Sequence, residues 1–280
     1  MYKNKIVFSS YCPEYLQERY GALKLKASFN FFHPEIPFIL YGEKDINRVY
    51  KEYNVNLDNA LPCLMLDIKK RFNAEYICHI DADSLVLGRL DHILNFDYEI
   101  ASCLNNPDIG DRCERQNRPI QLHNLPNNLY VSCGCISTNS EHFLSQWHDS
   151  NQQIVKEFGG VKAFWMCDQN MMNILFHSQM YKSKILDPLD SNFFYGASAN
   201  MSSNNNYFPK EITEAWGGLN PWQAWFDIRY KENKFSLYDK EVKILHNSCG
   251  GNKDKTVKCS FILFNEETRK QIQNITNINE

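Results

Sequence analysis

Glu75-Tyr76-Ile77-Cys78-His79-Ile80-Asp81-Ala82-Asp83-Ser84-Leu85-Val86-Leu87 is a mostly apolar run of strand length that ends in two carboxylates separated by one small residue. Apolar residues resume at once, which makes this an odd place for charge. If Tyr76–Ile80 is a central strand of an open α/β sheet, Asp81 and Asp83 lie in the crevice at its carboxyl end, where ligands bind. Side chains two apart in an extended segment point the same way, so both carboxylates can approach one cation or a metal-bridged diphosphate. An ordinary acidic turn after a strand satisfies the triplet as well, and the rest of the chain has to separate the two readings.

Upstream, Ile6–Ser9 reads as a first strand and Ser10-Tyr11-Cys12-Pro13 as the turn leaving it. Tyr15 to Phe29 carries Leu16, Leu23, Leu25 and Ala27 at helical spacing, and Phe38–Tyr41 between Pro37 and Gly42 is a second strand. Strand, helix, strand before residue 45 predicts a parallel α/β sheet. Leu61–Phe72 reads as a helix with Pro62 near its start and basic residues near its end.

Downstream, a turn at Gly88-Arg89 leads to a short helix over Leu90–Leu94, and Glu99–Leu104 is strand-like. Residues 105–128 lack periodicity, a length of loop that often serves as a lid or binding loop. Leu129–Thr138 reads as a strand in which Gly134 permits close approach of backbone or ligand. Glu141–Phe158 is helical, with Phe143, Leu144, Trp147, Ile154, Val155 and Phe158 towards the core. Asp168 caps or opens a helix that buries Met171, Met172 and Leu175, a role that needs no chemistry. Asn200–Tyr207 suits a surface loop, and Trp216, Trp222 and Trp225 can pack or face sugar rings. Val242–His246 is a strand leading into Gly250, Gly251 and Lys253; an imidazole there can complete a cation site begun by carboxylates, or sit in an exposed loop after an edge strand. Phe261–Phe264 is expected to dock, and the polar tail from Glu266 onward to fray.

Composition narrows the classes. A formal charge of -3 and no polybasic stripe argue against a nucleic-acid partner. Eighteen Phe and fifteen Tyr require a folded core. Ten cysteines without a framework, several inside apolar runs, fit free thiols in a reducing compartment. No run is long enough to span a bilayer, so the expected location is cytoplasmic, peripheral at a membrane if one carries the substrate.

Taken together, Asp81-Ala82-Asp83, Asp168-Gln169 with Asn173, and His246 followed by Gly250 and Lys253 resemble the glycosyltransferases of the GT-A fold. The chain is most similar to the retaining glycogenin-like and bacterial lipopolysaccharide galactosyltransferase-like family, glycosyltransferase family 8, over roughly residues 5–255. The resemblance implies a Rossmann-like, mixed but mainly parallel sheet flanked by helices. It implies one domain over 1–260, with a nucleotide-sugar half over 1–104, an acceptor half over 129–260, and a partly flexible extension over 261–280. Asp81, Asp83 and His246 would hold Mn²⁺ or Mg²⁺. Tyr11, Tyr15, Ser132, Gly134 and Lys253 would join Asp81 and Asp83 in binding a UDP-sugar, and Asp168 and Gln169 would be catalytic.

Three departures stand out. The family writes His-x-x-Gly-x-x-Lys-Pro-Trp, whereas this chain has one residue more between His246 and Gly250 and no Pro-Trp. Ser132-Cys133-Gly134 replaces an Asn-Ala-Gly-like motif. A basic residue expected near Met65 is missing, with Lys69 one helical turn later as a substitute. The implied activity is metal-dependent hexosyl transfer to an acceptor hydroxyl on a glycan, glycolipid or glycoprotein, with retention. An inverting transferase of the same fold and a non-catalytic nucleotide-sugar or carbohydrate-binding protein are the alternatives. A nucleotidylyltransferase would need a Gly-rich pyrophosphate loop after the first strand, which Ser9–Pro13 lacks.

Overall fold

The computed structural model of the chain describes residues 5–57, 59–104, 130–157, 167–187, 193–194, 228–237, 240–246 and 265–276. The apolar runs become strands β1 (Ile6–Tyr11), β2 (Phe38–Tyr41) and β3 (Tyr76–Ile80), and β1 pairs in parallel with both others. After the short β4 (Ser84–Val86), the sheet continues through β5 (Ile100–Leu104), β6 (Val131–Thr138) and β7 (Ser183–Leu186) in the order β2-β1-β3-β6-β5-β7. Only β6 runs against the rest, antiparallel to β3 and β5, so the sheet is mixed and mainly parallel.

Helices cover both faces. On one side α3 (Glu43–Tyr53), α4 (Leu61–Arg71), α5 (Glu141–Glu157) and α6 (Cys167–Phe176) pack on Val7, Ile77, Val131 and Ile136 through Val49, Leu64, Trp147 and Met172. On the other, Leu25 and Phe29 of α2 (Ala22–Phe32) meet Phe8, Cys78 and Ile80. Burying such side chains from both faces is what holds a sheet of this size together. Cys12, Cys63, Cys78, Cys103, Cys133 and Cys135 are buried thiols, none of them in a disulfide. Among the described residues no helix is long and apolar enough to cross a membrane.

Three expectations change. The helix over Tyr15–Phe29 is two, α1 (Glu14–Tyr20) and α2, because Gly21 adopts φ +79 and ends the first with a left-handed cap. As a result Leu23 faces outward, 41% exposed, while Leu25 is buried. Leu90–Leu94 forms hydrogen-bonded turns rather than a helix; Ile93 N–H donates to Leu90 and Leu94 N–H to Asp91, too few bonds to nucleate one. The tail does not fray over α7 (Glu266–Thr276), which packs on α2 and on β9 (Ile228–Lys231) through Thr268, Ile272 and Ile275; β9 is the edge of a three-stranded sheet with β10 (Lys234–Leu237) and β11 (Lys240–Glu241). Phe158, Asn200–Tyr207 and Phe261–Phe264 lie outside the described residues.

The turn over Leu90–Leu94 carries an acid sensitivity. His33 Nε2 accepts from Leu90 N–H at 2.9 Å, which requires neutral imidazole; burial, then Arg89, lowers its pKa. Burial lowers His92 from 6.5 to about 4, helped by Lys243 and Lys184 against Asp187 and Asp91. The unfolded chain therefore takes up protons first, so stability present above pH 6.5 declines as pH falls towards 4. For His92 alone the loss is about 2 kcal/mol at about pH 5. Urea unfolding at about pH 7.5 and 5 should show a smaller drop in His92→Gln than in wild type; equal drops would remove His92 from this role.

Candidate functional site

A second, three-stranded sheet builds the site. In it β12 (Ile244–His246) lies between β4 and β8 (Phe193–Phe194) and runs antiparallel to β4, with His246 opposite Ser84. That register carries the imidazole to the carboxylates across 163 residues of sequence. His246 Nε2 stands 3.1 Å from Asp83 Oδ1 and 3.3 Å from Asp81 Oδ2. His246 and Asp83 are buried, Asp81 half-buried, and one ligand atom from each falls within 4.8 Å of the others. His246 thus belongs to a central strand, 3% exposed, and not to an open loop after an edge strand.

Gly134 of β6 completes the walls. Its carbonyl accepts from Asp81 N–H at 2.9 Å, and a Cβ there would sit 2.6 Å from His246 Cε1 and 3.0 Å from Asp81 Oδ2. Two carboxylates and an imidazole gathered in this way make a donor set suited to a divalent cation. The cradle that a Cβ would fill shows that β6 is shaped to this group.

Tyr11 and His79 emerge beside Asp81 because the parallel register sets Ser9 against His79. The Tyr11 ring stacks on His79, centroids 5.4 Å apart. Burial, then Asp81 and Asp168, push its phenol well above the ordinary value, so it stays protonated. A cavity of about 500 Å³ opens here between Tyr11, Tyr15, Tyr50, Asn47, Asp81 and Asp83. Tyr15 stands at its lip, 74% exposed. Helix α3, which supplies Asn47 and Tyr50, went unread in the sequence, although Ile46, Val49, Tyr50 and Tyr53 repeat at helical spacing.

The remaining residues divide. Asp168 opens α6, where its carboxylate accepts from Gln169 N–H at 2.7 Å, and its charge reaches Tyr11 and Cys133. Gln169 is buried and bonded, its Oε1 accepting from Cys133 N–H at 3.0 Å and its amide donating to Tyr130. Asn173 clamps Val131, accepting from its N–H at 2.7 Å and donating to its carbonyl at 2.9 Å. Ser132 Oγ accepts from Gly134 N–H. These groups fix β6 behind the acidic cluster. Lys69 does not replace the basic residue missing near Met65: its ammonium donates to the carbonyls of Ala74 and Glu75, at the far end of β3. Lys253, residues 105–128 and Trp216, Trp222 and Trp225 lie outside the described residues.

No protein-family model and no curated protein matches the sequence. Solved structures match the fold. Galactosyltransferase LgtC, in complex with donor and acceptor sugar analogs, aligns over 96% of this chain and 95% of its own, with TM-score 0.53 and 12% identity. The apo structure of the bifunctional glycosyltransferase WbbM aligns over 98% of this chain and 52% of its own, with TM-score 0.54 and 13% identity. The mixed, mainly parallel sheet with helices on both faces is the GT-A fold.

Proposed function

We propose that the protein is a metal-dependent glycosyltransferase that moves a hexosyl unit from a UDP-sugar to an acceptor hydroxyl with retention of configuration. The acceptor would be a glycan, glycolipid or glycoprotein. The observation that carries this reading is the convergence of Asp81, Asp83 and His246, with both carboxylates lining the cavity that Tyr11, Tyr15 and Tyr50 also line, on a GT-A fold.

Asp81, Asp83 and His246 would hold Mn²⁺ or Mg²⁺, which when bound supplies Lewis-acid stabilisation of charge on a departing diphosphate. Neutral His246 has a lone pair to give, and both carboxylates are acceptors only. The tyrosine walls suit a nucleobase, with Tyr15 at the lip free to stack. Asp168, from the start of α6, would orient the sugar or balance positive charge at the anomeric carbon. Gln169 and Asn173 would keep β6, and with it Gly134, at the right distance.

Calorimetric titration with UDP and with UDP- and GDP-sugars, with and without Mn²⁺, tests the reading on wild type and on the Asp81→Asn, Asp83→Asn double variant. Expected are UDP-sugar binding that needs Mn²⁺, absence of that binding in the variant, and, when the bound donor is incubated with a panel of glycan acceptors, a product whose anomeric configuration by NMR matches that of the donor. Folded, metal-replete wild type that binds no nucleotide would sink the proposal.

A further inference from the structure

We infer that His79 is a positioning residue that fixes which oxygen Asp81 offers to a divalent cation; the inference rests on the metal reading of Asp81, Asp83 and His246. His79 is the polar residue in an otherwise apolar β3, only 2% exposed, and an imidazole is costly to bury without a partner. Two residues before Asp81, it points to the same face of the strand. Its Nε2 lies 3.0 Å from Asp81 Oδ1, and because an ionised carboxylate can only accept, Nε2 carries the proton and donates. The other oxygen, Oδ2, is the one 3.3 Å from His246 Nε2. The two oxygens of Asp81 are thereby divided, one held by His79 and one turned into the site.

The ring itself is held. Tyr11 stacks across it at 5.4 Å with 25° between the planes, and the β1 register sets Ser9 against it. Asp81 has need of such support, since its side chain is 36% exposed against 5% for Asp83, and a half-exposed carboxylate must be ordered before it can ligate. Hydrogen bonds from outside to a ligating carboxylate orient it and raise metal affinity. Tyr11, placed for the nucleobase, and Asp81, placed for the cation, are therefore joined through one imidazole.

Two substitutions separate the donor from the ring. His79→Phe keeps a ring for Tyr11 to stack on and deletes the donor; His79→Gln deletes the ring and keeps an amide N–H donor. Calorimetric titration of Mn²⁺ into the metal-free full-length protein should show affinity about 10- to 100-fold weaker in His79→Phe and restored to within about threefold of wild type in His79→Gln. Circular dichroism and thermal unfolding of both establish that each is folded. A folded His79→Phe protein with wild-type affinity overturns the inference, and so does His79→Gln as weak as His79→Phe. Wild type that binds no Mn²⁺ overturns the metal reading itself, and the role of His79 with it.

Discussion

Alanine at Gly134 is expected to weaken divalent-ion binding by about 100-fold or more while the chain still folds. The new Cβ would stand 2.6 Å from His246 Cε1, 2.8 Å from its Nδ1 and 3.0 Å from Asp81 Oδ2. Real carbon contacts do not come so close, so something must move. The backbone of β6 is not free to do so, since it is laddered to β3 and β5 and bonded to Asp81 N–H. The imidazole must therefore turn away from the carboxylates, and the donor set loses its nitrogen. Overpacking at such a site also destabilises by about 1–3 kcal/mol. A double-mutant cycle identifies the cause: in a His246→Ala background the two shortest contacts are gone and only the 3.0 Å approach to Asp81 Oδ2 remains, so Gly134→Ala should cost much less there than in wild type. Wild-type Mn²⁺ affinity in Gly134→Ala, or an undiminished stability loss in the double variant, would refute this account.

What could be read in the sequence follows how locally each feature is encoded. Asp81 and Asp83 were legible because the strand and both carboxylates occupy one contiguous run. His246 was legible as a strand end, yet its partner strand was not, because the pairing of β12 with β4 joins segments far apart in the chain. Gly134 was expected to allow a close approach of backbone or ligand; that the His246 imidazole also comes close depends on the second sheet. Gly21 sits inside a continuous helical pattern, and only its positive φ divides α1 from α2. Helix α3 had a readable period, but its polar majority masked four apolar positions. The Thr268, Ile272, Ile275 face of α7 is similarly thin, and what buries it is α2, more than two hundred residues earlier. Lys69 shows the reverse failure: it lies one turn from the expected place on α4, where two carbonyls had already claimed it.

Asn173 offers the sharpest test of whether a motif residue contacts sugar or holds the framework. Fully buried, it accepts from Val131 N–H and donates to the carbonyls of Val131 and Gln169. Asn173→Ala removes all three bonds and leaves the Val131 N–H, itself buried, without that acceptor, at a cost of about 3 kcal/mol. For a domain of this size that lowers the melting temperature by roughly 6–12 °C. Asn173→Asp should be worse at neutral pH, because its carboxylate keeps the Val131 N–H but faces two carbonyl oxygens with no proton to share. Burial then raises the pKa of the introduced acid above its unfolded value. Relative to wild type, the Asp variant should be least destabilised at low pH and should lose stability as pH rises, since the protonated carboxyl regains a donor. Thermal unfolding of wild type and both variants at about pH 5 and 8 measures the two differences. If Asn173 instead contacts the donor sugar and does not hold β6, Asn173→Ala would keep the wild-type melting temperature and raise the donor KM alone. A loss of stability that deepens with pH in Asn173→Asp alone would place the residue in the clamp, one helical turn and one strand removed from the chemistry it supports.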